Sequence, residues 1–268
     1  MAIPEPSSET TCLVTGASSG MGAEFARQLA ARGHGVTLSA RREEPMEELA
    51  TELRDKHGTR VEVITCDVSE IDARDALIAE IADRGLQVDV LINNAGFATS
   101  GEFHELDGAG EVNQVRVDVE AVVALSHAFA VPMAERGRGA ILNVASTAAF
   151  QPLPGMATYA ACKAFVLSFS EALHRELGSK GVTVTALCPG PVRTEFAKVA
   201  DAGEAESSTP DMLWMEPPEV VEAALSGLDG GDRRVLPGVF NRIGAYSGRY
   251  IPTGIVLRTA RQFNPFTN

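Results

Sequence analysis

Apolar residues fall along the chain in two alternating rhythms. Six short runs, Cys12–Thr15, Val36–Ala40, Val61–Cys66, Val88–Ile92, Ala140–Ala145 and Val182–Leu187, are rich in Val, Ile and Leu and lack a polar alternate face. Between them lie amphipathic stretches: Met21–Arg32, Pro45–His57, Ile71–Arg84, Asp107–Arg136 and Ala157–Lys180. A strand that is polar on neither side is covered on both faces. The alternation therefore predicts an α/β fold, a Rossmann-like doubly wound parallel sheet with helices on both faces, in a single domain. Right-handed crossovers would gather the strand C-terminal ends along one edge, where such sheets bind ligands. Residues 1–10 read as a flexible N-terminus and 11–268 as the domain, with 195–218 as a substrate loop or lid and 237–268 as a C-terminal extension.

Composition narrows the class. A chain of 268 residues, 45% hydrophobic, can bury roughly three quarters of its unfolded surface and needs neither disulfide nor metal to stay folded. The formal net charge of −13 argues against nucleic acid, which needs a basic face, and against an anionic membrane surface. A charged cofactor must then meet local positive charge. Cys12, Cys66, Cys162 and Cys188 form no CxxC pair and lie in apolar segments. They read as buried free thiols in a reducing cytoplasm, with a reactive thiol as the alternative. Met1–Thr11 has no apolar run, so no signal peptide is expected there. No stretch has the roughly 18 to 20 consecutive apolar residues of a membrane span, and a cytoplasmic protein without membrane insertion is expected.

Two segments break the rhythm. Residues 201–218 are acidic and contain proline, fitting either a surface loop or a mobile lid over the substrate. The tail from Arg233 is apolar and basic, in contrast to the rest of the chain. It can cover a substrate pocket, pack in an oligomer or touch a membrane surface, and sequence does not choose among these.

The chemistry starts at residues 12–22, CLVTGASSGMG, where a buried strand runs into Gly16, Gly20 and Gly22 and a helix follows at once. Glycines permit a tight turn and let the backbone approach a pyrophosphate, to which the helix N-terminus offers unpaired N–H groups. Spacing alone would also fit an ordinary Gly-rich turn; the strand–turn–helix context favours a dinucleotide. The GxxxxGK(S/T) signature of P-loop NTPases is absent. The second strand ends Leu38-Ser39-Ala40-Arg41-Arg42. A carboxylate there would bond a ribose 2′-hydroxyl and repel a 2′-phosphate, whereas Ala40 followed by a guanidinium suits the phosphate. NADP(H) is thus preferred over NAD(H). The alternative is that Arg41 and Arg42 begin a solvated helix face opposite Glu43 and Glu44.

The sequence resembles the short-chain dehydrogenase/reductases from about Thr11 to the region of Val235. The matching features are TGASSGMG (15–22), Asp67-Val68, NNAG (93–96), Ser146, YAACK (159–163) and PGPVRT (189–194). The resemblance implies that Gly16, Ser18, Ser19, Gly20, Met21 and Gly22 line the pyrophosphate turn, with Arg41 and Arg42 beside the ribose. Asp67 and Val68 would flank the adenine, and Asn93, Asn94, Ala95 and Gly96 would shape the cleft. Pro189, Gly190, Val192 and Thr194 would border the nicotinamide. Ser146, Tyr159 and Lys163 would do the chemistry. One position departs. The family usually carries an Asn in the long helix after NNAG, supporting a kink whose freed carbonyl holds a water that links the Lys to solvent. Here the helix reads QVRVDVEAVVAL (114–125) and Asp118 takes the place. Asp lacks the amide donor and adds charge, which puts the proton relay in question more than hydride transfer, and Asp118 is expected to be tuned or protonated.

Reduction of a ketone delivers hydride to carbon and a proton to oxygen. Tyr159 can give that proton, although a free phenol near pH 10 holds it too tightly for easy reversal. Tyr159 and Lys163, spaced i, i+4, project from one helix face. An ammonium about 4 Å away at an effective dielectric near 20 contributes on the order of 4 kcal/mol, enough to lower the phenol pKa by up to roughly three before desolvation pushes back. Ser146 ends the run ILNVAS and can orient the carbonyl oxygen. Other chemistries fit poorly: Ser146 is not in GxSxG, and His34, His57, His104, His127 and His174 show no metal-ligand spacing.

Phe97, Phe150, Pro152, Leu153, Met156, Phe196, Leu213 and Trp214 are candidate pocket walls and suggest an apolar ketone or alcohol, though loop packing explains them equally. The sequence supports an NADP(H)-dependent carbonyl reductase or alcohol dehydrogenase. It also leaves open a weakly catalytic cofactor-binding protein that acts through a partner, with an isomerase or dehydratase on the same scaffold as a weaker option. A homodimer or homotetramer is expected through 107–136 and 157–180, whose spare apolar residues include Val117, Val122, Val123, Phe165, Leu167 and Phe169.

Overall fold

The computed structural model describes residues 3–195, 210–255 and 257. Seven parallel strands form one sheet in the order β3-β2-β1-β4-β5-β6-β7. They are β1 (Thr10–Thr15), β2 (Val36–Ala40), β3 (Val61–Thr65), β4 (Gln87–Asn93), β5 (Gly139–Val144), β6 (Val182–Leu187) and β7 (Arg234–Val235). Successive residues of the inner strands enter opposite layers, as double coverage requires. Val14, Val90, Ile92 and Leu142 join the layer of α1 (Gly20–Ala31), α2 (Glu43–His57) and α7 (Pro217–Gly230). Leu13, Leu91 and Ile141 join the layer of α3 (Ile71–Asp83), α5 (Ala121–Arg136) and α6 (Ala157–Gly178). Each such Leu or Ile contributes roughly 1.5–3 kcal/mol of burial. The edge strand β3 departs from the expected uniform burial: Glu62 and Thr65 face water, and Glu62 pairs with Arg60 and Arg84.

The strand order reverses between β1 and β4, whose C-terminal ends open into the glycine turn and the Asn94–Gly96 loop. This is the switch point at which doubly wound sheets bind ligands. Two boundaries differ from the sequence expectation. Ile3 is buried and its N–H donates to Asp229 Oδ1 at 3.0 Å, which ties this one residue of the 1–10 lead to α7, while residues 5–9 are exposed. The stretch expected as one helix over 107–136 divides into α4 (Gly108–Val115), a π-helical turn (Arg116–Glu120) and α5. By length and composition this helix could cross a membrane; here Leu125, Phe129 and Met133 pack it on the sheet. The final helix, α8 (Val239–Tyr250), follows β7. Phe196, most of the expected 195–218 lid and residues 258–268 of the tail lie outside the described residues.

Candidate active site

The glycine turn is built for close approach. Gly16 and Gly20 adopt φ of 66° and 55°, the left-handed region open to glycine. A Cβ on Gly22 would lie 2.2 Å from Gly16 O, so the helix can start this near the turn only with glycine. Thr15 Oγ1 accepts from the N–H groups of Asn94 and Ala95, both at 3.1 Å, and Asn94 Nδ2 donates to Thr15 O at 2.9 Å. The two loops at the switch point are thereby locked together. Ser19 precedes α1 in extended backbone without capping it through its side chain, and the first turn carries no acid. The α1 amides and the positive end of its dipole thus stay available to an anion, and Met21 sits half-buried among them. The cradle fits the pyrophosphate of a dinucleotide.

At the end of β2, Ala40 is buried and Arg41 and Arg42 are exposed. Arg42 turns back to the cradle, donating to Ser18 Oγ (3.2 Å) and Ser19 Oγ (2.9 Å) and pairing with Glu195 at 3.3 Å. Arg41 lies toward Asp67, whose carboxyl sits below its ordinary value. Burial there is outweighed by two hydrogen bonds from Ser69 and by the charge of Arg41. Val68 beside it is buried. Of the two arginines, Arg42 is the one that touches the glycine turn, a division the sequence did not make.

Ser146, Tyr159 and Lys163 converge at the C-terminal end of β5. Ser146 caps a short 3-10 turn (Thr147–Phe150), its Oγ accepting from Ala148 N at 3.1 Å, and it hydrogen-bonds Tyr159. One turn along α6, Lys163 Nζ lies 5.6 Å from the Tyr159 ring centroid and donates to Val144 O at 3.1 Å. Its second neighbour is Asp118 Oδ1 at 3.5 Å. Asp118 sits in the π-helical turn with no exposure, and neither of its oxygens has a donor in hydrogen-bond geometry, so the contact is an ion contact. Gly96 makes room for it: a Cβ there would stand 2.5 Å from Asp118 Oδ1 and 3.2 Å from Lys163 Nζ.

Electrostatics corrects one expectation. Burial pushes the Tyr159 phenol above its ordinary value; Lys163 and the Ser146 hydrogen bond pull it down, Asp118 pushes it up, and burial prevails. The ammonium was expected to acidify the phenol; it does pull the phenol down, but burial outweighs it. Burial also raises the Asp118 carboxyl, against the pull of Lys163. All four cysteines are free and buried, and desolvation takes Cys162, next to Lys163, up to about 11.

Asn93, expected to shape the cleft, is buried beneath it, and several of its fellow positioning groups left no readable mark in the sequence. Asn93 Nδ2 donates to Asn143 Oδ1 (2.8 Å), and Asn143 Nδ2 to Ser170 Oγ (2.9 Å), tying β4, β5 and α6 beneath the site. Buried Glu111 accepts from Thr99 and Thr158, and Gln114 Nε2 donates to Phe97 O at 3.1 Å, fixing α4 to the loop after β4 and to the start of α6. These contacts span 12 to 50 positions along the chain, and only the fold could show them.

On the far wall, Thr147 N donates to Pro189 O at 2.9 Å. Gly190 leaves space for Asn241 of α8, whose Nδ2 donates to Leu213 O at 3.1 Å. Val192 bridges Met215, and Thr194 packs over Gly20. Of the candidate walls, Met156 packs beside Tyr159, and Trp214 stacks under Arg193. Phe150 is instead a core residue, set edge-on to Tyr246 of α8. A depression of about 560 Å³ lined by Arg234, Leu236, Arg242 and Tyr246 holds none of these groups, so chemistry rather than cavity size marks the site. Glu102, His104 and Glu105 bring their ligand atoms within 4.8 Å of one another, but at the surface.

Comparison with known proteins agrees with this geometry. Residues 10–205 match the family described as short chain dehydrogenase. The chain is 33% identical over 236 residues to a very-long-chain 3-oxoacyl-CoA reductase of Anas platyrhynchos, covering 85% of this chain and 72% of that one. It is 36% identical over 206 residues to sulfoacetaldehyde reductase 2 of Chromohalobacter salexigens, covering 76% and 80%. A solved short-chain dehydrogenase from Sphingobium yanoikuyae in complex with NADPH superposes with a TM-score of 0.80 at 35% identity, covering 92% and 95%.

Proposed function

The chain belongs to the short-chain dehydrogenase family, and from that premise we propose that it is an NADP(H)-dependent oxidoreductase of apolar ketones or secondary alcohols. The observation that carries this is the convergence of Ser146, Tyr159 and Lys163 beside a glycine cradle at the switch point of the sheet. When bound, the dinucleotide supplies or accepts the hydride. Ser146 would hold the substrate oxygen and Tyr159 would pass it the proton in reduction. Lys163 would hold the phenol and the nicotinamide ribose, and Asp118 would hold Lys163. Gly16, Ser18, Ser19, Gly20, Met21 and Gly22 would cradle the pyrophosphate. Asp67 and Val68 would flank the adenine, Asn94, Ala95 and Gly96 the cleft, and Pro189, Gly190, Val192 and Thr194 the nicotinamide. Stopped-flow reduction of a ketone panel with NADPH tests the reading; no substrate-dependent oxidation across the panel would sink it.

The cofactor preference rests on Ala40 followed by Arg41 and Arg42, with Arg42 already turned to the cradle. The NADPH-bound neighbour supports it. Charge-assisted hydrogen bonds are worth roughly 1.5–3 kcal/mol each. Arg41→Ala with Arg42→Ala is therefore expected to raise KM for NADPH about 10- to 100-fold, with NADH little changed. Equal losses with both cofactors in initial-rate kinetics would count against it.

An apolar substrate is supported by Met156 packed beside Tyr159 and by the name of the 3-oxoacyl-CoA reductase relative. The sulfoacetaldehyde reductase relative marks the opposing outcome. Turnover confined to small polar carbonyls would overturn this part of the reading.

A homodimer or homotetramer through α5 and α6 completes the proposal. Among the spare apolar residues, Val117, Val122 and Leu167 are used in the core, while Val123 and Phe165 stay exposed and Phe165 stacks on Phe169 at 5.7 Å. Val123, Val131 and Phe169 border an apolar groove of about 320 Å³ between the two helices. Val131→Glu is expected to convert the assembly to monomer in sedimentation velocity, since it places a charge on an exposed wall of that groove.

A further inference from the structure

Helix α4 carries its amphipathicity inside out. It buries its polar residues Glu111 and Gln114 and leaves Val112 and Val115 exposed at 55% and 42%. Burying polar groups is unfavourable unless their hydrogen bonds are made, so the inversion calls for partners. Glu111 Oε1 accepts from Thr99 Oγ1, and Glu111 Oε2 from Thr158 Oγ1. Thr99 Oγ1 also lies 2.8 Å from Gln114 Oε1, and Gln114 Nε2 donates to Phe97 O. Among the described residues no cation pairs with Glu111; its partners are two neutral hydroxyls.

The position of those hydroxyls gives the arrangement its meaning. Thr158 immediately precedes Tyr159, and Thr99 immediately follows Ala98. Ala98 and Tyr159 are buried against each other, with Ala148 and Met156 around them. Glu111 therefore staples the two segments that meet at the Tyr159 ring, one oxygen to each, across 47 and 12 positions of chain. The ring is fixed at its phenol by Ser146 and along its side by Ala98. A shift of either stapled segment would swing the hydroxyl away from Ser146. A misplacement of about 1 Å caused far from the reacting atoms can cost about 100-fold in rate.

We infer that Glu111 is a positioning residue for Tyr159, acting through Thr158 and Thr99. This rests on the reading of Tyr159 as the proton donor. The action is geometric: the forces that set the phenol are burial, Lys163, Ser146 and Asp118, so the loss of Glu111 moves the hydroxyl without retuning it.

Ketone reduction by Glu111→Ala, Glu111→Gln and Thr158→Val, beside Tyr159→Phe, tests it. Glu111→Ala is expected to lower kcat about 10- to 100-fold, with the Kd for NADPH unchanged and the alkaline limb of the pH profile at its wild-type place. Glu111→Gln keeps an acceptor and a donor for the two hydroxyls and should recover most of that loss. Thr158→Val removes one hydroxyl at nearly constant shape, so it serves even if Glu111→Ala does not fold; it should lower kcat in the same way and add little on top of Glu111→Ala. Hydrogen exchange reads the staple without substrate: the amides of 97–100 and 157–160 should exchange faster in Glu111→Ala and return toward wild type in Glu111→Gln. Wild-type kcat in Glu111→Ala and Thr158→Val beside an impaired Tyr159→Phe would overturn this inference alone. So would a loss confined to NADPH binding, a displaced alkaline limb, no recovery in Glu111→Gln, or unchanged exchange in both segments. A Tyr159→Phe enzyme with full turnover would overturn the reading of Tyr159, and this inference with it.

Discussion

Tyr159→Phe is expected to lower kcat for carbonyl reduction by about 10²- to 10⁴-fold, the usual contribution of a positioned proton donor, with the Kd for NADPH little changed. Phe keeps the ring that packs against Ala98 and Met156, so the fold is retained and the loss is chemical. The pH profile gives a second readout. Because burial holds the phenol above its ordinary value, Tyr159 carries its proton throughout the neutral range. Reduction, which consumes that proton, should be flat there and fall as pH rises through the folded-state value; oxidation of the alcohol should rise over the same interval. Asp118 contributes to the upward push, so Asp118→Asn should move both limbs toward lower pH. Single-turnover rates would separate these effects from product release. A Tyr159→Phe enzyme retaining more than about a tenth of wild-type kcat would remove the phenol from the proton transfer.

The layering of the fold was legible because it is written in local rhythm. Runs such as Val88–Ile92 have nowhere to go but between two helical layers, and all six expected strands recur within a residue or two. The glycine turn was legible for a similar reason, since Gly16, Gly20 and Gly22 are required by backbone geometry that no other residue satisfies. What sequence could not supply was competition between neighbours. Spacing put Lys163 one turn from Tyr159, but not Asp118 close to the same ammonium, nor the burial that raises the phenol more than Lys163 lowers it. The choice between Arg41 and Arg42 depended on backbone direction at the end of β2, and the fate of Phe150 on where α8 came to rest. Asn143, Ser170 and Glu111 read as ordinary polar residues until the fold brings their partners to them.

Lys163→Met should be costly twice over. It removes the group that organises the phenol, so turnover is lost, and it strands the Asp118 carboxylate, which has no exposure. Leaving one member of a buried ion pair without its partner typically costs about 3–5 kcal/mol. The pH dependence identifies the cause. Burial already raises Asp118, and Lys163 is the strongest force lowering it, so the substitution raises it further. A carboxyl whose folded pKa lies above its unfolded value contributes fully to stability below the unfolded value, near 3.9, and that contribution is lost as pH rises through the folded one. Urea midpoints of Lys163→Met should therefore approach those of wild type in acid and fall behind toward neutral pH. Adding Asp118→Asn removes the stranded charge and should restore most of the midpoint at neutral pH, while kcat stays low because the ammonium is still missing. A double variant no more stable than Lys163→Met, or a deficit that widens in acid, would mean that lost packing rather than an unpaired charge sets the cost. Recovery of stability without recovery of turnover would separate the two tasks of Lys163, balancing Asp118 and holding Tyr159, within one side chain.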